Sequence, residues 1–207
     1  MLLRGLYRQL YSHQQRHSPY HYLYEPAPVG ELVALDFETT SLKASEAEIV
    51  SIGAVKIVGK QILHSQRLDL KLRPGVRLGA TSIKVHRLRH QDLQQGLPPQ
   101  QGIEQLLEYI GPRPLVGYNI AYDFRILKRY AKQLLQLQLV NQLVDVGQLY
   151  ADRVHLPHEG MPANQDLAHI CDALQIPLSA RHQAYDDALN AAMIYLRLQF
   201  GPRPSAA

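Results

Sequence analysis

Apolar residues change their spacing at about residue 31. From there "ELVALDFE" (31–38), "EIVSIGAVKIV" (48–58) and "ILHSQRLDLKL" (62–72) carry the dense or alternating apolar positions of strands, with only Gly59 to Gln61 turning the chain between the last two. The spacing predicts an antiparallel three-strand meander. The period then lengthens. "GIEQLLEYI" (102–110) places Ile103, Leu106, Leu107 and Ile110 on one helical face, "RPLVGY" (113–118) reads as a short strand, and "IAYDFRILKRYAKQLLQL" (120–137) as a helix. "LVDV" (143–146) is the last predicted strand, and two helices close the chain around residues 164–174 and 184–199. Three antiparallel strands followed by alternating helices and strands predict an α/β chain. Its sheet is mixed and five-stranded, antiparallel for strands 1–3 and parallel thereafter, with helices packed on it.

The first thirty residues follow another pattern. They hold five of the twelve tyrosines, three arginines, three histidines and one acid, Glu25, and they end in the Pro/Gly-containing "EPAPVG". Leu2, Leu3, Leu6, Leu10 and Tyr11 line one side of a short helix, expected to dock on its own domain. The expected organisation is therefore a basic, tyrosine-rich arm over 1–30, one domain over 31–200 and a short tail over 201–207. No internal repeat is visible, and the glutamines near 91–105 and 133–142 are too often interrupted for a low-complexity tract.

Composition narrows the classes further. With 207 residues there is room for one well-buried domain. The formal charge of +4 and a pI near 9.2 suit a polyanionic partner without requiring one. The lone cysteine, Cys171, excludes an internal disulfide and a cysteine-based zinc site. Leu167, Ile170, Cys171 and Leu174 share one helical face, so Cys171 is expected to be a core thiol. No apolar run approaches the ~18 residues of a membrane span. "MLLRGLYRQL" is broken by Arg4, Arg8 and Gln9, unlike the continuous core of a secretory signal, and although a basic, nearly acid-free start also suits a mitochondrial targeting peptide, the expected compartment is a reducing cytoplasm. The last helix is followed only by "GPRPSAA", so no long C-terminal tether is expected. Any protein partner or self-association is expected to use the N-terminal arm.

One stretch raises a chemical question. In "ALDFETTSL" (34–42) the strand period of two puts Asp36 and Glu38 side by side on one face, with Leu35 and Phe37 on the other. Buried unpaired charges cost several kcal/mol or neutralise by shifting their pKa, so an arginine or a metal should compensate them. Asp123, just after a strand, and Asp186, Asp187 and His182, at the start of the final helix, belong to the same end of an α/β sheet, where ligands gather. Singly, each acid also suits a helix N-terminus, a role worth ~0.3–1 kcal/mol. If His182 and Asp187 were both helical they would lie roughly 140° apart, so convergence requires His182 in the turn before the helix. Asp187 is preferred to Asp186, and a swap between the two stays open. "HLPH" (155–158) is a His-x-x-His pair, but Pro157 disfavours a helix and no third ligand is apparent, so it reads as a loop.

"DFETTSL" (36–42), "GYNIAYD" (117–123) and "HQAYDDA" (182–188), in that order, resemble the three exonuclease motifs of the DEDDh superfamily, which includes RNase T, oligoribonuclease and the proofreading epsilon subunit of bacterial DNA polymerase III. The resemblance extends over about residues 31–199. It implies an RNase H-like fold, two divalent ions (Mg²⁺ or Mn²⁺), and removal of nucleotides from the 3′ end of DNA or RNA. It makes Asp36, Glu38, Asp123 and Asp187 the metal-binding acids and His182 the general base, with Thr39, Thr40, Leu42, His86, Tyr118 and Asn119 as substrate-binding candidates. Ser41 and Arg87 stand where the family usually has glycine, and both bear on substrate preference. Tyr122 is expected either to stack on terminal bases or to pack. The rival readings are an RNase H-type endonuclease using the same acids and a catalytically weak nucleic-acid-binding module.

Overall fold

Glu31–Thr39 forms strand β1 at the centre of the sheet. The computed structural model describes residues 2–76, 88, 90–154, 166–178 and 183–202. Strand β2 (Ile49–Val58) runs antiparallel to β1 from Glu31↔Val58 to Thr39↔Ile49, with a register shift after Glu38. β3 (Gln61–Ile62) and β4 (Leu68–Lys71) both pair antiparallel with β2. On the other side of β1 lie β5 (Leu115–Gly117) and β6 (Leu143–Asp145), both parallel, giving the order β3-β2-β1-β5-β6 with β4 also on β2.

The mixed α/β sheet is as the pattern predicts, with one difference. The third predicted strand is interrupted, so six strands form where five were expected. His64, Ser65, Gln66 and Arg67 offer no apolar side chain to hold a pleat against the core, and their backbone closes locally in a 3₁₀ turn, Gln66 N–H donating to Leu63 O and Arg67 N–H to His64 O.

The described residues contain seven α-helices: α1 (Leu2–Gln14), α2 (His90–Leu93), α3 (Pro99–Ile110), α4 (Ile120–Leu135), α5 (Val146–Arg153), α6 (Leu167–Ala173) and α7 (Ala184–Phe200). None is long and apolar enough to cross a membrane. The alternation of β1 divides the core in two. Val33, Leu35 and Phe37 join Ile103, Leu106, Leu107 and Ile110 of α3 and Ile126 and Leu127 of α4 on one side. Ala34 faces the other side with Ile170 and Cys171 of α6 and Ala191, Ile194 and Leu198 of α7. Burying each such Leu or Ile is worth about 1.5–3 kcal/mol, so the two layers fix which way Asp36 and Glu38 face. The N-terminal segment contributes to the first core, for Leu23 and Tyr24 are buried in it and the Tyr24 hydroxyl donates to Gln138 O.

Candidate metal centre and active site

Asp36 and Glu38 share the face of β1 that looks toward α7. The close approach of that helix depends on Gly53, the β2 partner of Asp36, because a Cβ there would lie inside the Ala184 carbonyl and Tyr185 amide. With backbone resting on backbone, Asp187 in the first turn of α7 reaches the strand. Asp36, Glu38 and Asp187 each bring one carboxylate oxygen into a group whose members all lie within 4.8 Å of one another. Asp186 is not in that group.

Asp123 stands beside these three rather than among them. Asn119, in the left-handed conformation at φ 53°, turns the chain from β5 into α4. Asp123 then lies buried in the first turn of α4, where its Oδ1 accepts the Phe37 N–H at 3.1 Å. The bond ties α4 to β1 between the two strand acids. Asp145, ending β6, adds a further negative charge near Asp123, although its own Oδ1 caps α5 by accepting from Gly147 and Gln148 N–H.

The electrostatics of the cluster follow from this crowding. Burial, reinforced by the charges of Asp123, Asp187 and Glu38, holds the Asp36 carboxyl well above the usual carboxylate range. Burial and then Asp187 push Glu38 up to about 7. Asp123 is pushed up to about 8, where burial outweighs the opposing hydrogen bonds from its own amide and that of Phe37. Among the described residues, no lysine or arginine pairs with Asp36, Glu38 or Asp123. A close set of hard carboxylate oxygens that repel one another without a cation suits a divalent metal ion.

The loop after β1 is fastened to α4. Tyr122 O–H donates to Ser41 O and also lies 2.9 Å from Thr39 Oγ1, while Thr39 Oγ1–H donates to Ser41 O. Thr40 Oγ1 accepts the Glu48 N–H at 3.0 Å, and Arg129 donates through its two terminal nitrogens to Ser45 O and Ala47 O. Thr39 and Thr40 thus have structural bonds of their own. Leu42, between them and Lys43, is 92% exposed and borders a cleft with Tyr122, Arg125 and Arg129. Asn119 is exposed, whereas Tyr118 is half-buried and its ring lies against Gly147. His182, His86, Arg87 and the "HLPH" stretch lie outside the described residues. Gly53, Arg129 and Asp145 are the contributors that sequence reasoning missed. The cap signal of Asp145 was present in "DVGQ", whereas nothing local marks Gly53 or Arg129.

Comparisons with known proteins bear on this geometry. A DNA polymerase III of the PolC type from Thermotoga maritima is 27% identical over 165 residues, which cover 80% of this chain but 12% of that protein. The PolC-type polymerase of Bacillus subtilis is 28% identical over 167 residues, covering 80% of this chain and 11% of its own length. The chain therefore corresponds to a small part of these relatives. Among solved structures, cell-death related nuclease 4 (CRN-4) superposes with a TM-score of 0.68 at 19% identity, covering 83% of this chain and 64% of that one. Escherichia coli exonuclease I in complex with a dT13 oligonucleotide gives 0.69 at 12% identity, over 83% and 41%. A 3′-exonuclease that recognises the 3′ end of a histone mRNA stem-loop gives 0.67 at 16% identity, over 86% and 85%. These likenesses establish a shared fold, the RNase H-like one the motifs imply. The family model for the RNase_T exonucleases matches residues 33–195, a span that contains the three converging carboxylates, Asp123 and all three motifs, and by that match this chain belongs to the RNase_T exonuclease family of the DEDDh superfamily.

Proposed function

We propose that this chain is a metal-dependent 3′-to-5′ exonuclease acting on single-stranded ends of DNA or RNA, with its catalytic domain over residues 31–200. The observation that carries the reading is the meeting of Asp36, Glu38 and Asp187 within 4.8 Å at the end of the central strand. In this reading those three carboxylates hold one divalent ion, and Asp123 supports a second. Two such ions, when bound, supply charge stabilisation at the attacking and leaving oxygens of a phosphodiester. Leu42, Thr39, Thr40, Tyr118 and Asn119 line the approach of the terminal nucleotide, and His86 is assigned to substrate binding from the sequence alone. Tyr122 keeps the loop of Ser41 and Leu42 in place through its hydroxyl, which favours the packing role for it over stacking. His182 accepts the proton of the attacking water on an imidazole nitrogen, a role that imidazole suits near neutral pH. A reducing, cytoplasmic compartment belongs to the same reading, in which the single cysteine of the sequence has no internal disulfide to form.

The deciding experiment is degradation of 3′-blocked, 5′-blocked and covalently closed oligonucleotides of DNA and RNA with Mg²⁺ or Mn²⁺. Resistance of the 3′-blocked and circular substrates is expected. Cleavage of the circle would establish the endonuclease instead, and binding without metal-dependent turnover the binding module. His182→Ala is expected to lower kcat by roughly 10²–10⁴ and to remove the acidic limb of the pH–rate profile. An alanine variant that keeps both the rate and the limb excludes His182 as the base.

A further inference from the structure

Helix α4 has two unlike faces. Ile120, Ile126, Leu127 and Ala131 are buried, whereas Arg125, Lys128 and Lys132 are exposed at intervals of three and four residues, in one line along the helix. At 1.5 Å per residue this line is about 10 Å long. The only acid of α4, Asp123, is turned inward, so nothing on the helix neutralises the line. Among the described residues, none of these three cations forms an ion pair.

Two clefts open along that line. The first, about 460 Å³, lies between α4 and the loop that follows β1, lined by Leu42, Lys43, Ser45, Tyr122, Arg125 and Arg129. The second, about 370 Å³, lies at the same level of α4 on its other flank, between Phe124, Lys128, residues 138–141 and the α1 tyrosines Tyr7 and Tyr11. Those two rings are stacked, with centroids 6.1 Å apart and planes 14° from parallel, and Tyr7 is 50% exposed. Lys128 also lies over the Phe124 ring at 5.9 Å. Cations in line and flat aromatic surfaces beside them are the two components with which proteins hold single strands, the cations following phosphates and the rings stacking on unpaired bases.

We propose that α4 and α1 form a track for the single strand upstream of the cleaved end. The strand leaves the acids past Tyr122 and crosses α4, its phosphates held by the line of Arg125, Lys128 and Lys132, and a base several nucleotides from the terminus stacks on Tyr7 on the other flank. The track rests on the nuclease reading above and gives it a preference for long, unpaired substrates. A duplex would meet the cations but offer no free base to Tyr7. The arm lies before residue 33, where the family match begins, so this part of the track belongs to this chain rather than to the family's common core.

The test compares the wild type with R125Q/K128Q/K132Q and with Tyr7→Ala and Tyr7→Phe, all full-length. Binding of a labelled 20-nucleotide single strand is followed in EDTA from 50 to 200 mM salt, and hydrolysis of the same strand is compared with that of a dinucleotide. Three lost phosphate contacts should lower the salt slope by about 2, so the wild type's affinity should fall about 20-fold more steeply than the variant's across that range. The ratio of kcat/KM for the long strand over the dinucleotide should fall with it. Tyr7→Ala should weaken binding of the long strand roughly fivefold or more, and Tyr7→Phe should restore it. An unchanged slope and an unchanged length preference in the triple variant overturn the track. Equal loss on both substrates also overturns it, because a dinucleotide is too short to reach Lys132. A wild type that binds with the steep slope but hydrolyses nothing overturns the proposed activity and leaves the track standing.

Discussion

At the residue scale, the acids of β1 and α7 are crowded to a degree that binding chemistry explains and folding does not. Glu38 at about 7 and Asp123 at about 8 retain protons in the folded chain at pH values where the unfolded chain, with carboxyls near their usual 4, has lost them. The folded state therefore binds more protons than the unfolded one between about pH 4 and 8, and its stability falls as pH rises through that window. In metal-free buffer Tm should drop from pH 5 to pH 8, about 2–4 °C for each kcal/mol lost. Mg²⁺ or Mn²⁺ should recover more of it at pH 8 than at pH 5, which calorimetry at the two pH values measures. Asp36→Ala removes one of the mutually repelling charges, so it should abolish metal-dependent hydrolysis while leaving metal-free Tm at pH 8 unchanged or raised. Near-wild-type turnover in this variant would remove Asp36 from the metal centre.

At the scale of elements, the site depends on how closely α7 lies on the sheet. Gly53→Ala replaces none of the acids but puts a methyl group into the Ala184–Tyr185 backbone. The helix must retreat, carrying Asp187 from Asp36 and Glu38. A loss of 10²-fold or more in kcat at saturating metal is expected, because displacements of about 1 Å have effects of that size. A circular dichroism spectrum like that of wild type would show that the fold survives the change. Gly53 also marks the limit of what the sequence reveals. The strand period alone put Asp36 and Glu38 on one face, and the 3.6-residue period exposed α3, α4, α6 and α7, because those elements are long or strongly patterned. α5 runs on directly from β6, and only the Asp145 cap announces it. The break in the third strand comes from four polar residues whose local bonds outcompete a pleat. Gly53 and Arg129 act through partners more than eighty residues away in the chain, and no local pattern encodes such a contact.

At the scale of the whole molecule, the N-terminal segment serves two layers at once. Tyr24 and Leu23 are buried against α3 and α4, while Leu6, Tyr7 and Leu10 of α1 are 62%, 50% and 48% exposed. Where the arm is cut should therefore decide what is lost. Removing residues 1–17 takes away α1 with Tyr7 and Tyr11 and leaves Leu23 and Tyr24 in place. It should preserve hydrolysis of short substrates, since none of the proposed catalytic groups lies there, and should reduce the preference for long single strands. Removing residues 1–24 also empties the Leu23 and Tyr24 sites, and truncation of a buried Leu alone costs about 2–5 kcal/mol. This longer deletion should lower Tm by many degrees and reduce activity on every substrate alike. Light scattering on the shorter deletion separates strand capture from assembly: an unchanged mass with a flatter salt dependence of binding assigns α1 to the nucleic acid, whereas a halved mass with unchanged salt dependence assigns its exposed Leu6 and Leu10 to a second copy of the chain.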